Sequence, residues 1–329
     1  MGAPTLYLGF GFKGRQMDRL VTVFGGGGFV GRYVAQALFR RGARVRIVQR
    51  NTSTAFFLRP LAAVGQIQFV SADIRDAERV RAATEDSDAV INLVGTLKGD
   101  FQGLQADGAR NVAQAATASG AGALVQISAI GADPDPDGAS DYYRTKGEGE
   151  ASAKAAFPGA TIVRPSLVFG REDNFVNRFA GLARIFPVLP VVKPAMRIQP
   201  VYAADLGRAI AAAALDPASH GGRTYEAGGP QVMTMRELME WVDETTGHSR
   251  ALVDVPDAAA ALIARLTGWA PLAPLTWQQW LMLQRDSVVS DDAEGLEAFG
   301  ISKTPLIAVA EGWLTSYRRG GRFAAKQPY

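Results

Sequence analysis

A chain of 329 residues, 47% of them hydrophobic and 20% charged, is long enough for one large or two medium domains around a substantial core, which excludes wholesale disorder. Its 35 basic and 32 acidic residues leave a net charge of +3, too even to call for nucleic acid, although an anionic cofactor or membrane surface would suit it. No cysteine is present and only two histidines, His220 and His248, both read as turn or loop residues; disulfides, thiolate catalysis and cysteine- or histidine-based metal sites are excluded.

The first sixteen residues, Met1 to Gln16, carry two basic residues and no acid, and lack the apolar core and cleavage pattern of a secretory signal. Met17 stands directly before the first apolar run, so Met1–Gln16 is expected to be a weakly ordered extension or a misplaced start. No stretch reaches the ~18 consecutive apolar residues of a transmembrane helix.

Apolar runs then fall at Leu20–Phe24, Val45–Val48, Ile67–Val70, Ala89–Val94, Ala123–Ile127 and Thr161–Val163. Helical patterns separate them at Phe29–Arg41, Asp76–Ala83, Asp107–Ala118 and Tyr142–Ala156. Short unbroken apolar strands alternating with helices predict an α/β fold, a Rossmann-type doubly wound parallel sheet, spanning 17–215. Its ligand crevice lies at the carboxyl ends of the strands.

The first strand runs into Gly25-Gly26-Gly27-Gly28-Phe29-Val30-Gly31, a turn opening a helix. Small residues let the backbone approach a pyrophosphate, and the first helical N–H groups point at the anion. Gly25, Gly28 and Gly31 have G-x-x-G-x-x-G spacing, while Gly26, Gly28 and Gly31 also fit G-x-G-x-x-G. Phe29 is the first residue past the turn.

The second strand ends at Arg50 where an NAD site usually places an acid; a guanidinium suits the 2′-phosphate of NADP(H). In Asp73-Ile74, Asp73 is placed to reach an adenine amino group, and Asp76 to cap the next helix. Gly95 lets the backbone pass beside the cofactor, and Asn111 reads as a buried side chain bonded to backbone. Tyr142 and Lys146, four apart, share a helix face. The ammonium is expected to lower the phenol's pKa, and Ser128 at the end of the fifth strand to bond the same carbonyl or hydroxyl. Tyr143 reads as packing. Arg164-Pro165-Ser166-Leu167-Val168-Phe169-Gly170 is placed at the nicotinamide end.

Beyond about residue 216 the pattern changes, and 216–329 is expected to form a smaller C-terminal part, α/β or mostly helical. Thr234 with Glu237 forms a capping box for a helix to Thr246. Ala258–Leu266 and Thr276–Gln284 read as amphipathic helices bearing Trp277 and Trp280, with Trp269 between them and a break at Pro271 and Pro274. Such segments suit a membrane interface or protein partner as well as the core of a small domain. Phe186–Val192 reads as an apolar loop, and Arg318–Lys326 as a solvated basic tail.

These segments together resemble the short-chain dehydrogenase/reductase superfamily in its extended or atypical branch, over roughly residues 17 to 250. The carrying residues are Gly25, Gly28, Gly31, Asp73-Ile74, Ser128, Tyr142, Lys146 and Arg164-Pro165. More narrowly, Gly28-Phe29-Val30-Gly31-Arg32-Tyr33-Val34, Tyr142–Glu150 and Gln199-Pro200-Val201-Tyr202 with Asp205 resemble the 39-kDa accessory subunit (alpha-subcomplex subunit 9) family of respiratory complex I. That resemblance implies tightly held NADPH as a structural cofactor and no turnover of a substrate of its own. It also implies complex I subunits as partners and a peripheral place on the inner membrane near the quinone channel, on the cytoplasmic side in a bacterium or the matrix side in a mitochondrion. Gly26 and Gly27, where related chains often carry alanine and threonine, are expected to loosen the turn without removing a donor. The alternative is a free NADPH-dependent reductase or epimerase using Ser128, Tyr142 and Lys146, with quinone biosynthesis within its range.

Overall fold

The computed structural model describes residues 19–135, 140–270 and 275–321. The extension Met1–Gln16, the break at Pro271 and Pro274, and the tail from Arg322 lie outside the described residues. The first half builds a sheet from β1 (Leu20–Phe24), β2 (Arg44–Gln49), β3 (Ile67–Ser71), β4 (Ala89–Asn92), β5 (Ala123–Ile127) and β6 (Thr161–Pro165). Between them run α1 (Phe29–Arg40), α2 (Ala77–Thr84), α3 (Gly108–Ala118) and α4 (Asp141–Ala156). The strands lie in the order 3-2-1-4-5-6, all parallel. The order in which strands are added therefore reverses between β1 and β4, where such sheets bind their ligands.

Burial on both faces explains the apolar strands. All residues of β1, β4 and β5 are buried. On β1, Val21 and Val23 pack with Val34 and Leu38 of α1, while Phe24 packs with Val80 of α2 and Val112 of α3 on the opposite face. Thr22, enclosed in the same strand, satisfies its hydroxyl against Ser87 Oγ at 2.6 Å. Asp76 caps α2 by accepting the Arg79 N–H, and Asn111 Nδ2 donates to the Ile74 carbonyl, as expected. The helix expected from Asp107 begins earlier: a π-helical segment, Gln102–Asp107, runs into α3.

After β6 come β7 (Val168–Phe169), α5 (Val176–Ile185), β8 (Val188–Val192), β9 (Arg197–Ile198), β10 (Val201–Tyr202) and α6 (Ala203–Leu215). They are followed by α7 (Pro217–His220), β11 (Thr224–Ala227), β12 (Met233–Thr234), α8 (Met235–Thr246) and β13 (Ala251–Val255). The described chain closes with α9 (Asp257–Thr267), α10 (Trp277–Met282) and α11 (Leu306–Leu314). Strand β11, from beyond residue 215, pairs parallel with β6 as the seventh strand of the main sheet. Helix α6 supplies Leu206 and Ile210 to the face covered by α1.

The apolar segment after Phe186 is not a loop. Val188–Val192 is strand β8, paired parallel with β13 because backbone groups beside so apolar a run need a ladder partner. The capping box at α8 is present: Glu237 N–H donates to Thr234 Oγ1, and the Glu237 carboxylate accepts the Thr234 N–H. His248 lies in the loop between α8 and β13, as expected, whereas His220 is helical. His220 ends α7, shares a 2.9 Å hydrogen bond with the Tyr225 hydroxyl and stacks on Phe299; His248 Nε2 lies 2.8 Å from the Tyr317 carbonyl. At the start of the basic tail, Arg318 is held rather than solvated, donating to the Thr245 carbonyl and pairing with Glu311.

Candidate functional site: a dinucleotide cleft continuous with an apolar chamber

At the carboxyl ends of the strands lies a cavity of about 1750 Å³. Gly25, Gly28, Phe29, Gly31, Arg50, Asp73, Ile74, Gly95, Tyr142 and Pro165 all line it. The glycine turn at its centre is closely packed. Gly25 adopts φ +76°, which L side chains rarely adopt, and its amide donates to the Val48 carbonyl at 2.9 Å. A Cβ on Gly31 would lie 2.5 Å from the Gly26 carbonyl oxygen, so only glycine lets α1 start against the turn. At Gly28 a Cβ would meet nothing but the Gly25 carbonyl oxygen, at 3.2 Å, which leaves the helix N-terminus open toward the cavity.

The two additional glycines tighten the turn instead of loosening it. A Cβ on Gly26 would lie 2.6 Å from Ile47, and one on Gly27 would lie 2.1 Å from Gln49 Oε1 and 2.7 Å from Ala55. The Gly27 N–H donates to Gln49 Oε1 at 3.0 Å, so one donor of the turn is already committed. Gln49 Nε2 in turn donates to the Asn51 carbonyl and the Thr54 hydroxyl, tying the turn to the segment after β2. The sequence reading missed Gln49; its place at the end of β2 beside the glycine run was the available signal.

Arg50 is exposed on the rim of the cavity. Asp73, expected as a free acceptor, is gripped by Arg75: Nε donates to Oδ1 at 3.0 Å and Nη2 to Oδ2 at 2.7 Å. That guanidinium holds the carboxyl down at about 2, and its Nη1 also bonds Asp100. Gly95 is small for a different neighbour than expected, since a Cβ there would lie 3.0 Å from Lys146 Nζ. Gly170 packs on Phe29 and Tyr33 and is not part of the lining.

Ser128 and Lys146 are buried and lie outside the lining. Lys146 Nζ makes two long hydrogen bonds, to the carbonyls of Ile127 (3.3 Å) and Val94 (3.4 Å). Burial lowers its pKa to about 8, opposed by the charge of Glu150. Tyr142 meets Tyr143 edge to face at 5.4 Å, and burial pushes its phenol upward rather than down. The expected lowering by Lys146 is absent because the ammonium is turned to the two carbonyls and is itself poorly solvated. Tyr143 is buried, as expected of a packing residue, although its edge reaches the cavity.

Three polar features fit a bound dinucleotide. Ser128 Oγ and Gln105 Oε1 are buried atoms without hydrogen-bond partners among the described residues. Gln105 Oε1 and Lys146 Nζ both border the small space left by Gly95. Buried polar atoms are seldom left unpaired, so Ser128 and Gln105 keep unused hydrogen-bonding capacity behind the lining of the cleft. Gln105 escaped the sequence reading because it sits in the π-helical segment, where helical spacing breaks; such segments are frequent at functional sites.

Below this floor Arg164 grips buried Glu150 with two bonds, of 2.8 and 2.7 Å. The pair joins β6 to α4 and orients the helix that carries Tyr142 and Lys146.

The NAD(P)H-binding family matches residues 25–174, the stretch from the glycine turn to the loop before α5. The alpha subcomplex subunit 9 of mitochondrial NADH dehydrogenase [ubiquinone] 1 from Rattus norvegicus is 34% identical over 295 residues, covering 87% of this chain and 77% of the relative. The chain belongs to that family. Another relative is the 40 kDa subunit of NADH-ubiquinone oxidoreductase from Neurospora crassa, 28% identical over 90% of this chain and 79% of its own length. A ceramide reductase from Caulobacter vibrioides is 30% identical over 190 residues, 56% of this chain and 58% of the enzyme. Among solved structures, the NADPH-dependent quinone oxidoreductase QOR2 of Escherichia coli, complexed with NADPH, superposes with a TM-score of 0.71 at 21% identity over 89% of this chain and 99% of that one. At that identity the likeness shows the fold, which is that of the extended short-chain dehydrogenase/reductases.

Proposed function

We propose that this subunit 9 family chain is an accessory subunit of a respiratory complex I that holds NADPH as a structural cofactor at the membrane surface. The observation that carries the reading is the arrangement of Tyr142 and Lys146: the phenol is pushed toward its protonated form, and the ammonium is committed to two backbone carbonyls. Such a pair suits holding a nicotinamide ribose better than relaying a proton. The pyrophosphate would lie on the Gly25–Gly31 turn, the 2′-phosphate beside Arg50, and the ribose hydroxyls beside Lys146, Gln105 and Ser128. Asp73 and Ile74 would border the adenine, and Pro165 the nicotinamide.

Complex I partners are supported by the relatives' identities, and a peripheral place by the exposed apolar side chains Leu262, Leu266 and Trp269. No helix among the described residues is long and apolar enough to cross a membrane. The bilayer face would be the cytoplasmic one in a bacterium and the matrix one in a mitochondrion. Affinity purification of the tagged chain from native membranes tests the assembly: co-migration with the other complex I subunits is expected, and migration apart from them would sink the reading. Nucleotide extracted from the dialysed protein is expected to be NADPH near one equivalent.

A second reading, a free NADPH-dependent reductase or epimerase, is favoured by the unpartnered Ser128 hydroxyl and by the ceramide reductase relative. A nicotinamide bound there would supply or accept a hydride, while Ser128 would hold the substrate oxygen and Tyr142 its proton. Tyr142→Phe should then abolish turnover with NADPH still bound. Under the first reading the same substitution leaves complex I quinone reduction intact.

A further inference from the structure

The cavity, of about 1750 Å³, continues past the residues expected to border a dinucleotide. Beyond Pro165 its character changes. The walls become Phe179 of α5, Met196, Met235 and Met239 of α8, Ala260 of α9 and Met282 of α10. Methionine is unbranched and polarisable, and a wall with four of them adapts to a flexible chain better than to a rigid ring system. Asp173, at the edge of this half, is spent on capping α5: its carboxylate accepts the N–H groups of Gly170, Phe175 and Val176.

The chamber reaches the surface through apolar residues. Phe186, Val188 and Ile263 line it and are also 50%, 47% and 41% exposed. The elements that carry them, and strand β13 paired with β8, bear further exposed apolar side chains: Ile185 at the end of α5, Val253 on β13, Leu262 and Leu266 on α9, and Trp269 just after it. Strands β8 and β13 run in parallel register, placing Pro190 opposite Val253 and Val188 opposite Ala251 on the exposed face. An apolar mouth set in an apolar surface patch lets a hydrocarbon pass from a bilayer into the chamber without crossing water.

We propose that this chamber binds the long hydrocarbon chain of a membrane amphiphile, entering at Phe186, Val188 and Ile263 and lying against the methionine wall beside the dinucleotide cleft. The site is separate from the turn that would hold NADPH and serves either reading of that cleft. An acyl chain and a prenyl chain share the chemistry the walls select. Affinity should follow chain length, falling about tenfold for every two methylenes removed.

Titration of the full-length, detergent-free protein with cis-parinaric acid tests the proposal. Saturable binding of one equivalent is expected, undisturbed by NADPH. Ala260→Trp, which fills the chamber, and Ile263→Glu, which charges the half-exposed mouth, should each weaken the probe at least tenfold and leave NADPH affinity unchanged. Ile263→Glu keeps the test decisive if the buried Ala260→Trp change prevents folding. Mass spectrometry of organic extracts of the purified chain distinguishes the sources, a stoichiometric acyl lipid or a prenyl compound, either of which supports the site. Displacement of the probe by NADPH, or undiminished binding in the folded variants, overturns it. Loss of the complex I association alone would leave the chamber standing.

Discussion

Lys146 Nζ lies 3.3 Å from the carbonyl oxygen of Ile127, so the lysine of the helix α4 pair faces the end of β5 and not the phenol one turn before it. Burial lowers its pKa to about 8, against about 10.4 in an unfolded chain. Below pH 8 both states carry the proton, and the cost of burying the charge is fully present. Between about pH 8 and 10.4 the unfolded chain binds more protons, so this residue's contribution to stability rises with pH. In nucleotide-free protein, Lys146→Met should raise stability at pH 7 by up to about 3 kcal/mol and flatten the rise above pH 8. Thermal unfolding from pH 7 to 10.5 reads both effects. An equal slope in the two proteins would contradict the assignment.

Gly27 and Gly28 are neighbours with opposite expectations. Alanine at Gly27 would press on Gln49 Oε1 and Ala55, and should cost about 1–3 kcal/mol as an overpacked site. Alanine at Gly28 meets only the Gly25 carbonyl oxygen and stands where a pyrophosphate would lie. Gly28→Ala should keep the melting temperature and weaken NADPH binding at least tenfold. Calorimetry of unfolding and of binding separates the two; matching effects would argue against this account of the turn.

Partly exposed Arg164 and buried Glu150 form the ion pair that orients α4. Removing one partner strands the other charge, so Arg164→Met should destabilise the fold by about 3–5 kcal/mol. Urea denaturation measures this. A loss below 1 kcal/mol would mean that Glu150 takes up its proton or reaches another donor.

In the proposed NADPH site, Arg50 would face the 2′-phosphate. Arg50→Ala should weaken NADPH at least tenfold, about 1.4 kcal/mol, and leave NADH nearly unchanged. Isothermal titration with each nucleotide decides it. Equal losses would remove Arg50 from cofactor choice.

The sheet was legible because its strands are buried on both faces. Val21–Phe24, Ala89–Asn92 and Ala123–Ile127 are buried at every position and apolar at all but Thr22, Asn92 and Gln126, whose side chains are hydrogen-bonded, and that need is local and strong. The glycine turn was legible for a similar reason, since Gly25 at positive φ and Gly31 beneath the Gly26 carbonyl admit little else. Less visible was anything depending on where a long side chain ends. The lysine–tyrosine spacing placed both residues on α4, but two carbonyls took up the Lys146 ammonium and burial raised the Tyr142 phenol. Asp73 could be assigned to its strand end without any sign that Arg75 would take both its oxygens.

The apolar segments after Phe186 show the same limit. Composition alone is the same for a buried core, a membrane surface and the wall of a chamber. Only the pairing of β8 with β13, and the approach of α5, α8, α9 and α10, separated the outward residues Val188 and Val253 from the enclosed Met239 and Ala260. Local backbone needs and strand burial, written within a few consecutive residues, were determined by the sequence itself. The direction of each polar side chain and the continuity of the chamber with the dinucleotide cleft were decided by the tertiary structure, because they depend on contacts between segments far apart in the chain.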